Sequence, residues 1–189
     1  TYDSTEVEAF IPYVSAGKPA TLKMFQGIDM ACEGEWKVEI ATDVTDQTLS
    51  RARQVGADLT VNMATQTGGL DEFKADKGVF DVLFEASGNA QALRTGFEVL
   101  KPRGIIVQVG TGGEINIPLN VLVAKEFDLR GSFRFHPEFA MAVELMNQGR
   151  LDVKPLITHS LPYTQFAQAF ALAADRQQAV KVQMTFESN

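Results

Sequence analysis

The sequence has one cysteine, two histidines and no long apolar run, and each of these features argues against particular classes of protein. Cys32 has no second cysteine with which to form an internal disulfide, so we expect a reducing compartment and predict the cytoplasm. The longest apolar stretches are short, such as Ile105 to Val109, whereas a membrane helix needs about 20 residues. The first residues are polar and acidic, which predicts no secretory signal peptide.

Basic residues are fewer than acidic ones, and the formal net charge of the 189-residue chain is −7. An acidic protein repels the phosphate backbone of nucleic acids and anionic lipid headgroups, so neither is expected as a partner. The hydrophobic and charged fractions, 45% and 22%, are ordinary for a globular protein. This length fits one domain, with or without a small appendage.

Ligands for a catalytic zinc ion are also scarce. Such a site needs about three ligands from cysteine, histidine and acidic residues, but Cys32, His136 and His159 lack the spacing of a metal motif. We therefore predict no zinc site. Cys32 is expected to pack as a small apolar group, His136 to begin a helix and His159 to lie in a loop. The sequence also has no Gly-x-Ser-x-Gly elbow, which argues against a serine hydrolase.

The glycine-rich motif of dinucleotide-binding domains is missing as well. That motif, Gly-x-Gly-x-x-Gly, lies between the first strand and its helix, but the window from Met24 to Trp36 has only the widely spaced Gly27 and Gly34. Glycine and proline interrupt every candidate element of this region. We therefore predict an atypical leader over residues 1–36.

From Trp36 onward, short apolar runs rich in β-branched residues alternate with amphipathic stretches. This alternation predicts an α/β fold, namely a Rossmann-like doubly wound parallel sheet that is incomplete at its N-terminal end. We expect the dinucleotide-binding domain over residues 37–149 and a separate C-terminal segment over 150–189. The predicted strands are Val38–Ala41, Leu59–Val61, Val79–Ala86, Ile105–Val109, Phe127–Phe135 and Val180–Phe186.

The predicted helices lie between these strands and follow from apolar residues at helical spacing. The first helix begins near Thr45 and ends near Gly56, and the helix containing Leu93 is expected to end at Pro102. The remaining predicted helices contain Leu70 and Phe73, then Asn120 to Lys125, then Phe139, Val143 and Met146, and finally Phe166, Phe170 and Ala173.

Asp43 follows the predicted strand Val38–Ala41. An acidic residue at this position of a dinucleotide-binding fold accepts hydrogen bonds from the adenosine ribose, and its charge repels the additional phosphate of NADP. No arginine immediately follows Asp43, although Arg51 and Arg53 lie on the next predicted helix. NAD is therefore favoured over NADP. A structural role for Asp43, capping that helix, fits the pattern equally well.

Ser87-Gly88 and Gly110-Thr111-Gly112 follow two successive predicted strands. Ligands bind outside the carboxyl ends of parallel strands, so we expect both loops and Asp43 to line one crevice. Glycine is also the commonest residue of ordinary turns, and each loop alone is weak evidence. Their agreement with Asp43 favours a ligand site.

The sequence from about Val38 to Phe186 resembles the medium-chain, zinc-type alcohol and polyol dehydrogenases. Within that family it is most similar to the branch that contains the idonate, sorbitol and xylitol dehydrogenases. The segments that carry the resemblance are Ala41-Thr42-Asp43, Gly56-Ala57-Asp58, Val61-Asn62, Phe80-Asp81-Val82, Phe84-Glu85-Ala86-Ser87-Gly88, Val107-Gln108-Val109-Gly110, Leu129-Arg130-Gly131-Ser132-Phe133-Arg134-Phe135, Val153-Lys154-Pro155-Leu156-Ile157 and Ala179-Val180-Lys181-Val182-Gln183.

The resemblance implies a role for particular residues. Asp43 would hold the adenosine ribose, Ser87 and Gly88 would border the nucleotide, and backbone groups further along would meet the nicotinamide. Arg134 would also face the substrate. The cofactor-binding residues expected on this ground are Asp43, Ser87, Gly88, Val109, Gly110, Ser132 and Arg134.

The resemblance also implies a function, the NAD-dependent oxidation of a secondary alcohol of a small-molecule polyol or aldonate. The family uses zinc held by an N-terminal catalytic domain, whose motifs do not appear in residues 1–36, and the chain after about Gly149 returns to that domain. The alternative is a non-catalytic Rossmann-like fragment that folds, dimerises through the strand Phe127–Phe135, and binds nucleotide weakly or not at all. A homo-oligomer is the one protein partner that we expect.

Overall fold

The structure is a computed structural model that describes residues 20–24, 38–133 and 138–186, with the backbone alone for 20–24, 38 and 39. Within these ranges six parallel strands form one sheet in the order β3-β2-β1-β4-β5-β6. The strands are β1 Ala20–Met24, β2 Val38–Asp43, β3 Leu59–Asn62, β4 Phe80–Glu85, β5 Leu100–Gln108 and β6 Asp128–Gly131. This is the order of a doubly wound dinucleotide-binding sheet, which confirms the predicted fold class.

Five described α-helices connect or follow the strands. They are α1 Asp46–Gln54, α2 Ala90–Val99, α3 Leu119–Ala124, α4 Glu138–Asn147 and α5 Phe166–Ala174. Short 3₁₀ helices span Asp71–Lys77, Lys154–Leu156 and Tyr163–Gln165. None of the helices in the described ranges has the length and apolar character needed to cross a bilayer.

The hydrophobic core lies on both faces of the sheet. Successive side chains of a strand point to opposite faces, so Leu83 and Ile106 belong to one buried cluster while Val82, Phe84 and Val107 form another. The larger cluster also takes in residues of α2 and of the loop before β6. Burial on both faces explains the nearly continuous apolar run of β4.

The central strand β1 lies inside the range that we had assigned to an atypical leader. Met24 pairs with Thr42 of β2 on one side and with Glu85 of β4 on the other. A short strand that is paired along both edges gains its backbone hydrogen bonds from its neighbours and needs little local propensity. The remainder of residues 1–36, including Cys32 and the glycine window after Met24, lies outside the described residues, and the domain boundary near residue 37 stays a prediction.

Helix α2 is fixed at both ends by side chains. The Asn89 side chain accepts hydrogen bonds from the first backbone N–H groups of the helix, at 2.8 and 3.2 Å. At the other end, Lys125 Nζ donates to the carbonyl oxygens of Phe97 and Leu100 at 2.6 and 2.8 Å. The helix ends at Val99, and strand β5 begins at once. The predicted end at Pro102 was therefore wrong.

The C-terminal segment contains a second, two-stranded parallel sheet in the described part of the chain. Its strands are β7 Ile157–Pro162 and β8 Lys181–Thr185, and α5 connects them. β8 confirms the predicted terminal strand. β7 was not predicted, and His159, which we had placed in a loop, lies in it because Ile157–Pro162 pairs along β8.

Candidate functional site

The carboxyl ends of the central strands lie side by side. Glu85 of β4 pairs with Met24 of β1 and with Gln108 of β5, which in turn pairs with Gly131 of β6. From β1, strands β2 and β3 follow toward one edge of the sheet, whereas β4, β5 and β6 follow toward the other edge. The strand order therefore reverses between β1 and β4. In open α/β sheets the ligand crevice lies outside the carboxyl ends at this point of reversal. The predicted site residues follow these strand ends.

Asp43 ends β2, and its side chain is only 3% exposed. Its Oδ1 accepts hydrogen bonds from the backbone N–H groups of Val44 and Thr45, at 2.7 and 2.9 Å, and from Thr45 Oγ1 at 2.9 Å. These bonds tighten the turn before α1 but do not cap the helix, because the N-cap residue is Thr45 and no side chain makes a cap hydrogen bond there. The alternative capping role of Asp43 was therefore wrong. Oδ2 takes no part in the turn and lies 3.8 Å from Arg176 Nη2. The two carboxylate oxygens thus have different surroundings.

The loops after β4 and β5 touch through their backbones. A Cβ atom on Gly110 would lie 2.1 Å from the backbone nitrogen of Gly88, and one on Gly112 would lie 2.3 Å from the carbonyl oxygen of Gly88. Gly88 itself has φ +67°, a conformation that side chains rarely adopt. The structure therefore brings Ser87-Gly88 and Gly110-Thr111-Gly112 together, and glycine is required at each contact.

Glu85 holds these two loops in place, and sequence reasoning did not single it out. Its carboxylate is fully buried and accepts hydrogen bonds from the backbone N–H groups of Ser87 and Gly88, at 2.8 and 2.9 Å, and from Ser87 Oγ. It also accepts from Gln108 Nε2, which donates to the carbonyl oxygen of Gly110 at 2.9 Å. A buried carboxylate is retained only where donors surround it. Here the donors come from both loops.

The backbone groups expected at the nicotinamide are partly engaged by the sheet itself. The N–H groups of Val109 and Gly110 both donate to the carbonyl oxygen of Glu85, at 2.8 Å each, and the N–H group of Ser132 donates to that of Gln108 at 2.9 Å. These hydrogen bonds hold the loop ends against the sheet. Arg134, which was expected at both the nicotinamide and the substrate, lies outside the described residues.

Features of this edge fit a dinucleotide. A buried carboxylate ends β2, and Gln108 Oε1 is a buried acceptor without a hydrogen-bond partner among the described residues. The described residues do not fit zinc in the same way, since no group of three or more of their histidine, cysteine and acidic side chains could hold a metal ion. His159 lies in β7 beside Thr158, whereas Cys32 and His136 lie outside the described ranges.

Comparison with known proteins identifies the family. The family model described as zinc-binding dehydrogenase matches residues 35–148. The chain is 42% identical over 148 residues to the L-idonate 5-dehydrogenase (NAD(P)(+)) of Escherichia coli strain K12, covering 78% of this chain and 43% of that protein. It is 34% identical over 139 residues to the sorbitol dehydrogenase of Rattus norvegicus, covering 71% and 39%.

A solved structure agrees with these sequence matches. The crystal structure of L-idonate 5-dehydrogenase from Escherichia coli str. K-12 substr. MG1655 superposes with a TM-score of 0.78 at 35% identity, covering 90% of this chain and 50% of that one. The chain therefore spans about half the length of the relatives it matches, or somewhat less.

Proposed function

Because the chain belongs to the zinc-binding dehydrogenase family, we propose that it forms the coenzyme-binding part of an NAD-dependent polyol or aldonate dehydrogenase. The observation that carries the proposal is the crevice where the strand order reverses, with Asp43 and two glycine-backed loops at its edge. The names of the relatives support the substrate class, since idonate is an aldonate and sorbitol a polyol. When bound, NAD would accept a hydride from the secondary alcohol.

Each group at the crevice would have a separate task in binding the coenzyme. Asp43 would accept hydrogen bonds from the ribose hydroxyls, and its charge favours a ribose without an additional phosphate. Gly88 and Gly110, whose loops pack against each other, would border the nucleotide. Because the N–H groups of Val109 and Ser132 are engaged within the sheet, we expect the nicotinamide to meet carbonyl oxygens at these positions.

We assign no catalytic step at the substrate oxygen to the described residues, because no group of them could hold a zinc ion. The C-terminal segment has large exposed apolar side chains, notably Phe166 at 60% and Phe170 at 67%. Tyr163 and Phe186 are also exposed and stack with ring centroids 5.5 Å apart. Exposed apolar surface of this kind favours packing against further protein, which supports the expected division into a coenzyme-binding domain and a segment of the catalytic domain.

Calorimetric titration with NAD tests the binding part of the proposal. We expect binding that Asp43→Ala weakens by at least about 10-fold, because a hydrogen bond to a charged group contributes about 1.5–3 kcal/mol. Asp58→Ala is the matched control. Asp58 precedes β3, whose first residue Leu59 pairs with Ile40. It therefore lies at the amino end of β3, whereas Asp43 lies at the carboxyl end of β2. Equal effects of the two substitutions would contradict the assigned ribose site.

Oxidation of L-idonate and sorbitol, followed as formation of NADH with and without added zinc, tests the catalytic part. The second candidate, a non-catalytic fragment that binds nucleotide, is favoured by the lack of a metal-binding group among the described residues. Binding of NAD without turnover would select that candidate. Turnover above background would select the dehydrogenase, and the absence of both binding and turnover would overturn the proposal.

A further inference from the structure

The turn that follows α5 is docked on the beginning of α1. Gln47 Nε2 on α1 donates to the carbonyl oxygen of Gln178 at 2.8 Å. The turn is closed by Asp175, whose Oδ1 accepts the N–H group of Gln177 at 2.9 Å and whose carbonyl oxygen accepts that of Ala179 at 3.0 Å. The hydrogen bond from Gln47 therefore holds the turn on α1, the helix that follows β2.

Arg176 lies on this turn, beside the predicted ribose-binding carboxylate. Its Nη2 is 3.8 Å from Asp43 Oδ2, and its side chain is 54% exposed whereas that of Asp43 is buried. The guanidinium group is thus open to solvent beside a carboxylate that is covered. A charged ligand group that approached Asp43 from solvent would meet this cation.

A cavity of about 640 Å³ lies beside Arg176. Thr48 and Arg176 line it, and its other charged lining residue is Lys181, a second cation. Thr48 Oγ1 lies 2.7 Å from Thr45 Oγ1, which donates to Asp43 Oδ1, so hydroxyl groups connect the carboxylate to the cavity wall. The rest of the lining is mainly apolar, and a mainly apolar cavity of this size with a few polar groups is typical of small-ligand sites. The two cations give it the charge that suits an anion.

The arginines that the sequence places near Asp43 are engaged elsewhere. Arg51 Nη1 donates to Gln54 at 2.7 Å on the surface of α1. Arg53 Nε donates to Thr60 Oγ1 at 2.7 Å, toward β3. Neither takes part in the ion pair of Asp43 with Arg176, which comes from the C-terminal part of the chain.

We propose that Arg176, together with Lys181 of the same cavity lining, binds the 2′-phosphate of NADP, so that this chain accepts NADP as well as NAD. The proposal rests on Asp43 holding the adenosine ribose. A phosphate on the ribose 2′ oxygen would lie next to the carboxylate, which repels it, and next to the guanidinium, which binds phosphate through paired N–H groups. The cation offsets the repulsion that Asp43 alone would impose. Arg176 is thereby a specificity-determining residue.

Titration of the chain with NAD and NADP isolates the effect, because the two coenzymes differ only in the 2′-phosphate. Arg176→Gln is expected to weaken NADP binding about 10-fold and NAD binding less than about 2-fold, in line with the loss of one charged hydrogen-bonding group. Arg176→Lys should keep part of the NADP affinity, since it retains the charge but loses the paired geometry. Lys181→Gln should give a smaller, NADP-specific loss. Arg51→Gln is the matched control and should change neither.

The outcomes separate this proposal from the one on which it rests. If the unmodified chain binds NAD but not NADP, or if Arg176→Gln weakens both coenzymes equally, Arg176 does not serve the 2′-phosphate and the ribose site still stands. If neither coenzyme binds, both proposals are wrong. Circular dichroism of each variant should match the parent chain, because Arg176 is half exposed. Added salt should reduce NADP affinity more than NAD affinity.

Discussion

Replacing Gly110 by alanine probes the contact between the two loops at the strand ends. The added Cβ would lie 2.1 Å from the backbone nitrogen of Gly88 and 2.8 Å from Glu85 Oε2. A flexible side chain could rotate away from such a methyl group, but a backbone nitrogen cannot. That nitrogen already donates to Glu85 Oε2 at 2.9 Å. The substitution must therefore move a loop that is held by a buried carboxylate.

The size of the effect follows from these contacts. Overpacking a tightly packed site costs about 1–3 kcal/mol. Displacement of Gly88 also weakens a hydrogen bond to a charged group, which contributes about 1.5–3 kcal/mol when intact. Because the loops relax in part, we expect Gly110→Ala to lower the free energy of unfolding by about 2–4 kcal/mol. For a chain of this length the melting temperature should fall by roughly 4–16 °C.

Gly113→Ala provides the matched control, because a Cβ at Gly113 meets no atom within 4 Å and the residue lies in the same loop. We expect it to change the free energy of unfolding by no more than about 0.5 kcal/mol. Urea unfolding followed by circular dichroism measures both variants, and an unchanged m-value shows that the two-state comparison holds. If Gly110→Ala and Gly113→Ala are equally stable, the loops do not touch as described and the reasoning is refuted.

Further predictions concern other parts of the fold. Asn89→Ala removes the side-chain cap of α2 and should lower stability in thermal melting by about 1 kcal/mol, whereas Asn89→Asp should not. Lys125→Met leaves carbonyl oxygens at the end of α2 without their donor and should lower the free energy of unfolding by about 1–3 kcal/mol in urea, with Lys125→Arg less affected. Strand β6 is the last in the sheet order and exposes 42% of Leu129, so we expect a dimer that Leu129→Glu dissociates in sedimentation velocity; a monomeric parent chain would contradict this.

Much of the sheet could be predicted from local sequence. Val82, Leu83 and Phe84 are apolar at successive positions because β4 is covered on both faces. Helix α2 follows from Leu93 and Phe97 at helical spacing, both of which are buried. The end of α2 was misplaced because Pro102 and Gly104 suggested a break. The break in fact comes at Leu100, where the chain enters β5.

Strands β1 and β7 could not be predicted in the same way. Ala20–Met24 has Thr21 as its one β-branched residue and stands between Pro19 and Gly27, which read as interruptions. Its strand conformation depends on pairing with β2 and β4, which lie later in the chain. β7 likewise depends on β8. Pairing between distant segments leaves little trace in a short window of sequence.

The candidate site was predicted in outline but not in its supports. Asp43, Ser87-Gly88 and Gly110 were found because polar and glycine residues follow predicted strands, although their part in coenzyme binding stays a prediction. Nothing in the neighbouring sequence distinguishes Glu85 from other acidic residues. Only the fold shows that it is buried among hydrogen-bond donors from two loops. Arg176 is remote in sequence, and its approach to Asp43 depends on how the C-terminal segment docks on α1.

The mutual contact of Gly88, Gly110 and Gly112 also limits how this crevice can evolve. A side chain gained at any one of the three would collide with the backbone of the facing loop. A new loop shape therefore requires coordinated changes at two positions, which single-nucleotide steps rarely supply together. In a library of random single substitutions selected for folding, replacements should be depleted at these glycines and common at Gly113. We therefore expect the three glycines to stay unchanged together, while coenzyme specificity changes through substitution of exposed residues such as Arg176.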